Sequence, residues 1–211
     1  MSWNLPNALT GLRIALIPVL GLMFLLPHPW SNLIATAVFA LAGITDWLDG
    51  YLARRLGQTS AFGAFLDPVA DKLIVAVALI IIVTDRPTAS IAVPAAVIIG
   101  REIAVSGLRE WMAELGRRSS VAVGTLGKLK TTAQMAAILM LLLGMDVLGL
   151  PLPEIGFWLL YLAAVLTLYS MAQYLRAAWR DLGAAAQEGH PQPAASGAGV
   201  SERDWVKRTE D

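Results

Sequence analysis

Four aspartates, Asp46, Asp49, Asp67 and Asp71, lie within the run TDWLDGYLARRLGQTSAFGAFLDPVADK, residues 45–72, and long apolar stretches flank that run on both sides. Ionised groups at membrane depth are costly and tend to be functional. Asp46 and Asp49 are three residues apart and Asp67 and Asp71 are four apart, so on helices each pair shares a face. The midpoint of Asp46 and Asp71 falls in 57–60, and so does that of Asp49 and Asp67; there Gly57, Gln58, Thr59 and Ser60 form a natural turn. Two antiparallel helices joined at that turn would bring all four carboxylates to one depth.

Four converging carboxylates repel one another unless a cation joins them. All-oxygen ligation favours Mg2+, Ca2+ or Mn2+ over Zn2+. A single Mg2+ usually meets only one or two carboxylates, so four of them fit two ions with shared ligands better. Two-metal sites stabilise both the attacking and the leaving oxygen in phosphoryl displacement. Gly50 and Gly63 leave room for a ligand to approach, and Arg54 offers a planar fork suited to phosphate. The competing readings are an ion-coupled transporter that uses the aspartates as a cation path, a structural ion-pair cluster with Arg54, Arg55 and Lys72, and a membrane scaffold. Clustering at one depth, instead of spacing across the membrane, speaks against the transporter.

The elements that must hold these residues are helices in a bilayer. Of the 211 residues, 56% are hydrophobic and 15% charged, against about 45–50% and about 25% in soluble proteins. Six apolar stretches are long enough to span, at 8–26, 33–52, 62–83, 90–108, 131–150 and 155–175. The expected fold is therefore all-α: a polytopic integral membrane protein with six transmembrane helices in one domain, 1–182. The small, polar segment 183–211 reads as a disordered cytoplasmic tail. With both termini on one side, that side receives Arg54, Arg55, Arg117, Arg118, Lys128, Lys130, Arg176 and Arg180, and the other receives Arg86. The positive-inside rule then places both termini and the aspartates at the cytoplasmic face. The formal net charge is zero, which excludes an electrostatic nucleic-acid binder. There is no cysteine, and the two histidines, His28 and His190, sit in a turn and in the tail, so a thiolate or histidine metal site is not expected. No cleavable leader is expected, since no basic stretch precedes the first apolar run. Asn7 or Thr10 could cap the first helix. Arg13, about one turn inside, either snorkels to the interface or faces the cavity of the aspartates; Thr10 and Arg13 are thus further candidates for the site.

The pattern Asp46-x-x-Asp49-Gly50-x-x-Ala53-Arg54, eight residues, Gly63, three residues, Asp67, three residues, Asp71 resembles the signature of the CDP-alcohol phosphatidyltransferases at every defined position. The similarity extends through NLPNALTGLR, TDWLDGYLARR and FGAFLDPVADKL and covers about residues 4–181. The resemblance implies a six-helix membrane enzyme, usually a homodimer, that moves a phosphatidyl group from a CDP-linked lipid to an alcohol and releases CMP. It implies two Mg2+ or Mn2+ ions held by Asp46, Asp49, Asp67 and Asp71, with Asp71 also the general base. It implies that Gly50, Ala53, Arg54 and Gly63 line the CDP site. Within the family the likeness is to bacterial members of the inner membrane that use CDP-diacylglycerol and sn-glycerol 3-phosphate. Serine, inositol phosphate and phosphatidylglycerol are the alternative acceptors.

An anionic acceptor needs cations near the metals. The fourth span offers Arg101 and Arg109, and the fifth begins with Lys128 and Lys130; these four are the candidate ligands of the acceptor phosphate. Glu102, Ser106 and Arg109 form one helical stripe. Arg101 either pairs with Glu102 or Glu110 or faces the polar cavity. A neutral acceptor such as inositol would not require so many deep cations.

Overall fold

The computed structural model describes residues 5–25, 30–56, 61–114 and 125–188. Those residues form six helices: α1 (Leu5–Leu25), α2 (Ser31–Leu56), α3 (Ala61–Asp85), α4 (Ala89–Glu114), α5 (Thr125–Leu143) and α6 (Leu152–Glu188). Among the described residues there is no strand, only an isolated bridge between Val147 and Leu150. The segments 57–60 and 115–124, and with them Arg117 and Arg118, lie outside the described residues.

Helix length follows from the apolar runs. The 21 residues of α1 span about 31 Å at 1.5 Å per residue, close to the roughly 30 Å hydrocarbon core of a bilayer. Three segments, Ser31–Leu52, Ala89–Glu114 and Leu152–Arg180, are long and apolar enough to cross a membrane, and Ala8–Met23 and Leu129–Leu143 are shorter apolar stretches. α3 carries Asp67, Asp71 and Lys72 in its first half and is apolar beyond them. The protein is a multi-pass membrane protein. Pro18, Pro68 and Pro94 sit inside α1, α3 and α4, as is tolerated where neighbouring helices enclose the freed backbone groups.

α1 packs on α2 and α3, α5 on α6 and α2, and α4 on α6 and α3. Lipid is as apolar as leucine, so these contacts depend on close packing of small residues. Ala42, Ala78, Ala95, Ala137 and Ala163 are buried at the helix interfaces with Leu20, Phe39, Leu79, Ile98, Ile138 and Leu160. Large side chains such as Leu22, Ile80, Val93, Trp158 and Val165 point outward.

Among the boundaries that differ from those read in the sequence, two have a local physical reason. The fifth span was expected to reach residue 150, yet α5 stops at Leu143. Gly144 takes φ +68° and its N–H donates to the Met140 carbonyl at 3.2 Å, a left-handed cap that ends a helix. Arg86 Nη2 donates to the Gly144 carbonyl at 3.3 Å. A tight turn follows, with Leu148 at φ 52° and Gly149 at φ 78°; Met145, Val147, Leu148 and Leu150 look like span but form this turn. The second difference is at the C-terminus. α6 continues through 183–188, residues assigned above to a disordered tail. Ala184, Ala185 and Ala186 are strong helix formers and outweigh the single Gly183. The remainder of the tail, 189–211, lies outside the described residues.

The α5–α6 contact is the tightest against substitution. A Cβ on Gly156 would lie 2.9 Å from Met140 Cβ and 3.2 Å from the Ala137 carbonyl oxygen. Neither neighbour is a flexible side-chain end, so the helices must separate. Gly156→Val is expected to destabilise the fold by about 2 kcal/mol, read as a lower thermal midpoint in detergent. Gly100→Ala, with nothing within 4 Å of the new methyl, should match or slightly exceed wild type.

Candidate active site

Helical periodicity puts Thr10 and Arg13 on one face of α1, Asp46 and Asp49 on one face of α2, and Asp67 and Asp71 on one face of α3. The three faces meet. Arg13 is fully buried. Its Nη1 lies 2.6 Å from Asp71 Oδ1 and 3.1 Å from Asp46 Oδ1, and its Nη2 lies 3.8 Å from Asp49 Oδ2. Thr10 Oγ1 lies 3.0 Å from Asp49 Oδ2 and 2.5 Å from Asp67 Oδ1. One arginine and one threonine of α1 therefore join all four aspartates. The Asp46 and Asp71 side chains stay 51% and 45% exposed, and Asp49 is buried.

These groups border a cavity of about 490 Å3. Asp46, Asp67 and Asp71 line it from α2 and α3, with Arg13 of α1 and Lys72 of α3, and Glu102, Arg109 and Lys130 line it from α4 and α5. Lys130 is buried and its Nζ donates to Glu102 Oε1 at 2.7 Å. The same oxygen accepts from Arg101 Nη1 at 2.8 Å. Arg101 Nη2 donates to Ser170 Oγ on α6 at 3.0 Å. Arg101 is thus paired with Glu102, one of the two alternatives set by the sequence, and it is not among the residues lining the cavity. Arg109 does line it. Arg109 Nη2 donates to the Tyr174 hydroxyl at 3.1 Å, and its guanidinium carbon lies 5.3 Å from that ring's centroid.

Gly63 is buried on α3 and Gly50 partly buried on α2. Ala53 and Arg54 lie on α2 and Lys128 on α5, but their side chains lie outside the described residues. Sequence reasoning missed Tyr174 and Gln134 and treated Lys72 only as an ion-pair partner; all three sit at or beside the cavity. A signal existed for two of them. Gln134 follows Lys130 by four residues inside an apolar run, and Thr167, Ser170 and Tyr174 make a polar stripe along α6. A second hollow, about 400 Å3, is bounded among the described residues by Gln173, Arg176, Ala177 and Arg180 of α6.

The donor set can be tested against divalent ions. Among the described residues no three carboxylate or histidine side chains stand close enough together to grip an ion as arranged; Arg13 Nη1 lies between Asp46 and Asp71. Charge and donor chemistry nevertheless fit. Four carboxylates face Arg13 and Lys72, so the negative charge is only partly offset. The single Thr10 proton lies between two carboxylate oxygens and can satisfy one at a time. Every donor is a hard oxygen, as Mg2+ and Mn2+ prefer.

Residues 3–169 match the CDP-alcohol phosphatidyltransferase family. The chain belongs to that family and is an enzyme of its type. It is 52% identical over 182 residues to a CDP-diacylglycerol–glycerol-3-phosphate 3-phosphatidyltransferase of Yersinia enterocolitica, covering 86% of this chain and 98% of the relative. It is 53% identical, with the same coverage, to the protein of that name from Pectobacterium atrosepticum. It is 54% identical over 186 residues to that of Pseudomonas fluorescens, covering 85% of this chain and 92% of the relative.

Removing one partner of a fully buried ion pair costs about 3–5 kcal/mol. Asp46 and Asp71 are half exposed and recover some hydration, so Arg13→Met is expected to cost on the order of 2 kcal/mol, seen as a lower thermal midpoint. Arg13→Lys should recover part of the loss, because it keeps the charge but not the fork.

Proposed function

We propose that the protein transfers the phosphatidyl group of CDP-diacylglycerol to sn-glycerol 3-phosphate, giving phosphatidylglycerophosphate and CMP. The observation that carries this reading is one cavity lined both by carboxylates of α2 and α3, Asp46, Asp67 and Asp71, and by cations of α4 and α5, Arg109 and Lys130. The names of relatives more than half identical over most of the chain support it.

Arg109 and Lys130 bind the acceptor phosphate. Tyr174 holds one Arg109 nitrogen and leaves the other donors free for phosphate oxygens. Glu102 orients Lys130, and Arg101, tied to Ser170, orients Glu102. Lys128, at the start of the same helix, adds positive charge. Asp71 then faces the acceptor hydroxyl and takes its proton, with Arg13 fixing the carboxylate's orientation. The freed oxygen attacks the phosphorus next to diacylglycerol, the bond to CMP breaks, and CMP leaves. Gly50, Ala53, Arg54 and Gly63, matched position by position to the family pattern, bind the CDP moiety. Asp46, Asp49, Asp67 and Asp71 would hold two Mg2+ or Mn2+ ions, which neutralise charge on the attacking and leaving oxygens when bound. The enzyme works as a homodimer with both termini and the cavity mouth at the cytoplasmic face of a bacterial inner membrane. The basic residues Arg55, Arg109, Lys130, Arg176 and Arg180 at one end of the bundle, against Arg86 at the other, support that orientation.

The decisive experiment offers purified protein labelled CDP-diacylglycerol with glycerol 3-phosphate, serine, inositol phosphate or phosphatidylglycerol. CMP release is expected only with glycerol 3-phosphate, and turnover with another acceptor alone would reassign the substrate. Excess EDTA should abolish turnover and Mg2+ or Mn2+ restore it; full rates in EDTA would refute the metal requirement. Asp71→Asn is expected to lower kcat by roughly 10²–10⁴-fold while the protein still folds, since Asp46 and Asp49 remain beside Arg13. Arg109→Ala should raise KM for glycerol 3-phosphate at least about tenfold, as loss of a charge-assisted hydrogen bond does, while KM for CDP-diacylglycerol changes little. Equal effects on both substrates would make Arg109 structural.

A further inference from the structure

The inner end of the cavity holds a polar group with no role in the chemistry above. Gln134 lies one turn beyond Lys130 on the same face of α5, is 5% exposed and lines the cavity. Around it the wall is apolar apart from Thr131, one turn before it on α5: Ala42 and Gly43 from α2, Ile74 and Val75 from α3, and Met135. A Cβ on Gly43 would come within 3.2 Å of Met135 Cε, so the floor is closed at that point. Each of these apolar residues is about one turn deeper than Asp46, Asp71 or Lys130 on its own helix. Gln134 Oε1 has no hydrogen-bond partner among the described residues. A buried amide oxygen left unpaired is destabilising, and a site built to pair with a substrate hydroxyl rejects the analogue lacking it.

The acceptor reading supplies a matching donor, and the inference rests on that reading. Glycerol 3-phosphate carries two hydroxyls. Its phosphate is held by Arg109 and Lys130, and the terminal hydroxyl, the less hindered nucleophile, is presented to Asp71. The hydroxyl on the middle carbon remains, between two anchored ends and above the floor. We propose that Gln134 is a specificity-determining residue whose side-chain amide hydrogen-bonds the non-reacting hydroxyl of the acceptor, selecting a hydroxylated three-carbon phosphate over its deoxy counterpart. Either orientation of the amide serves, because a hydroxyl both donates and accepts.

The test compares glycerol 3-phosphate with 3-hydroxypropyl phosphate, which keeps the terminal hydroxyl and lacks the middle one, using the full-length enzyme in detergent. Wild type is expected to favour glycerol 3-phosphate by about ten- to a hundredfold in kcat/KM. In Gln134→Met, of similar length and shape, the ratio should fall to within about threefold of unity, with the deoxy acceptor used as well as by wild type and KM for CDP-diacylglycerol unchanged. Gln134→Asn keeps the amide but shortens its reach, so its ratio should be intermediate, and it carries the comparison should the Met variant fail to fold. A wild-type ratio near one, an unchanged ratio in the variants, or an equal loss with both acceptors would overturn the assignment. Glycerol 3-phosphate turnover with an unchanged ratio removes this inference alone; absence of that turnover in wild type removes the functional reading with it.

Discussion

A single guanidinium, buried where α1 meets α2 and α3, is the interaction on which the rest of the structure depends. Arg13 is completely enclosed and stands against Asp46, Asp49 and Asp71. In a low-dielectric interior the mutual repulsion of those carboxylates would be large, and so would the cost of an unpaired buried arginine. Each resolves the other, provided that three helices hold register. Thr10, one turn away, adds Asp67 to the same group. α1 carries none of the family's aspartates, yet without its contribution the two acidic faces would have no reason to close on each other.

Charge of the opposite sign is organised across the cavity by the same logic inverted. Glu102 is the anion there, receiving Lys130 and Arg101 on one oxygen. Lys130 can be buried because that carboxylate stands beside it. Arg101 is anchored in turn to Ser170 of α6, and Arg109 leans on the ring of Tyr174. The long last helix thus positions cations on α4. Carboxylates and cations are thereby brought to the lining of one chamber.

How much of this the sequence discloses depends on the range of the interaction. Residues three or four apart on a helix must share a face, so Asp46 with Asp49, Asp67 with Asp71, and the Glu102–Ser106–Arg109 stripe are legible from spacing alone. Apolar run length gives six helices, because the bilayer sets the length that a span must have. Boundaries decided by local backbone chemistry are less legible. Gly144 in a left-handed conformation stops α5 although apolar residues continue past it, and helix-forming alanines carry α6 beyond Gly183.

By itself, then, the chain determines that four carboxylates lie on helix faces near one end of a membrane bundle, and that cations gather at that end. Local periodicity and the cost of charge in lipid are sufficient for this. Tertiary structure alone decides what each charge meets: Arg13 turned inward among the acids, Arg101 drawn to Ser170 and away from the cavity, Tyr174 under Arg109, and Gln134 on the floor. Those partners are brought together from helices far apart in sequence, and the packing of small residues between helices, which spacing along one helix cannot express, fixes which of them touch.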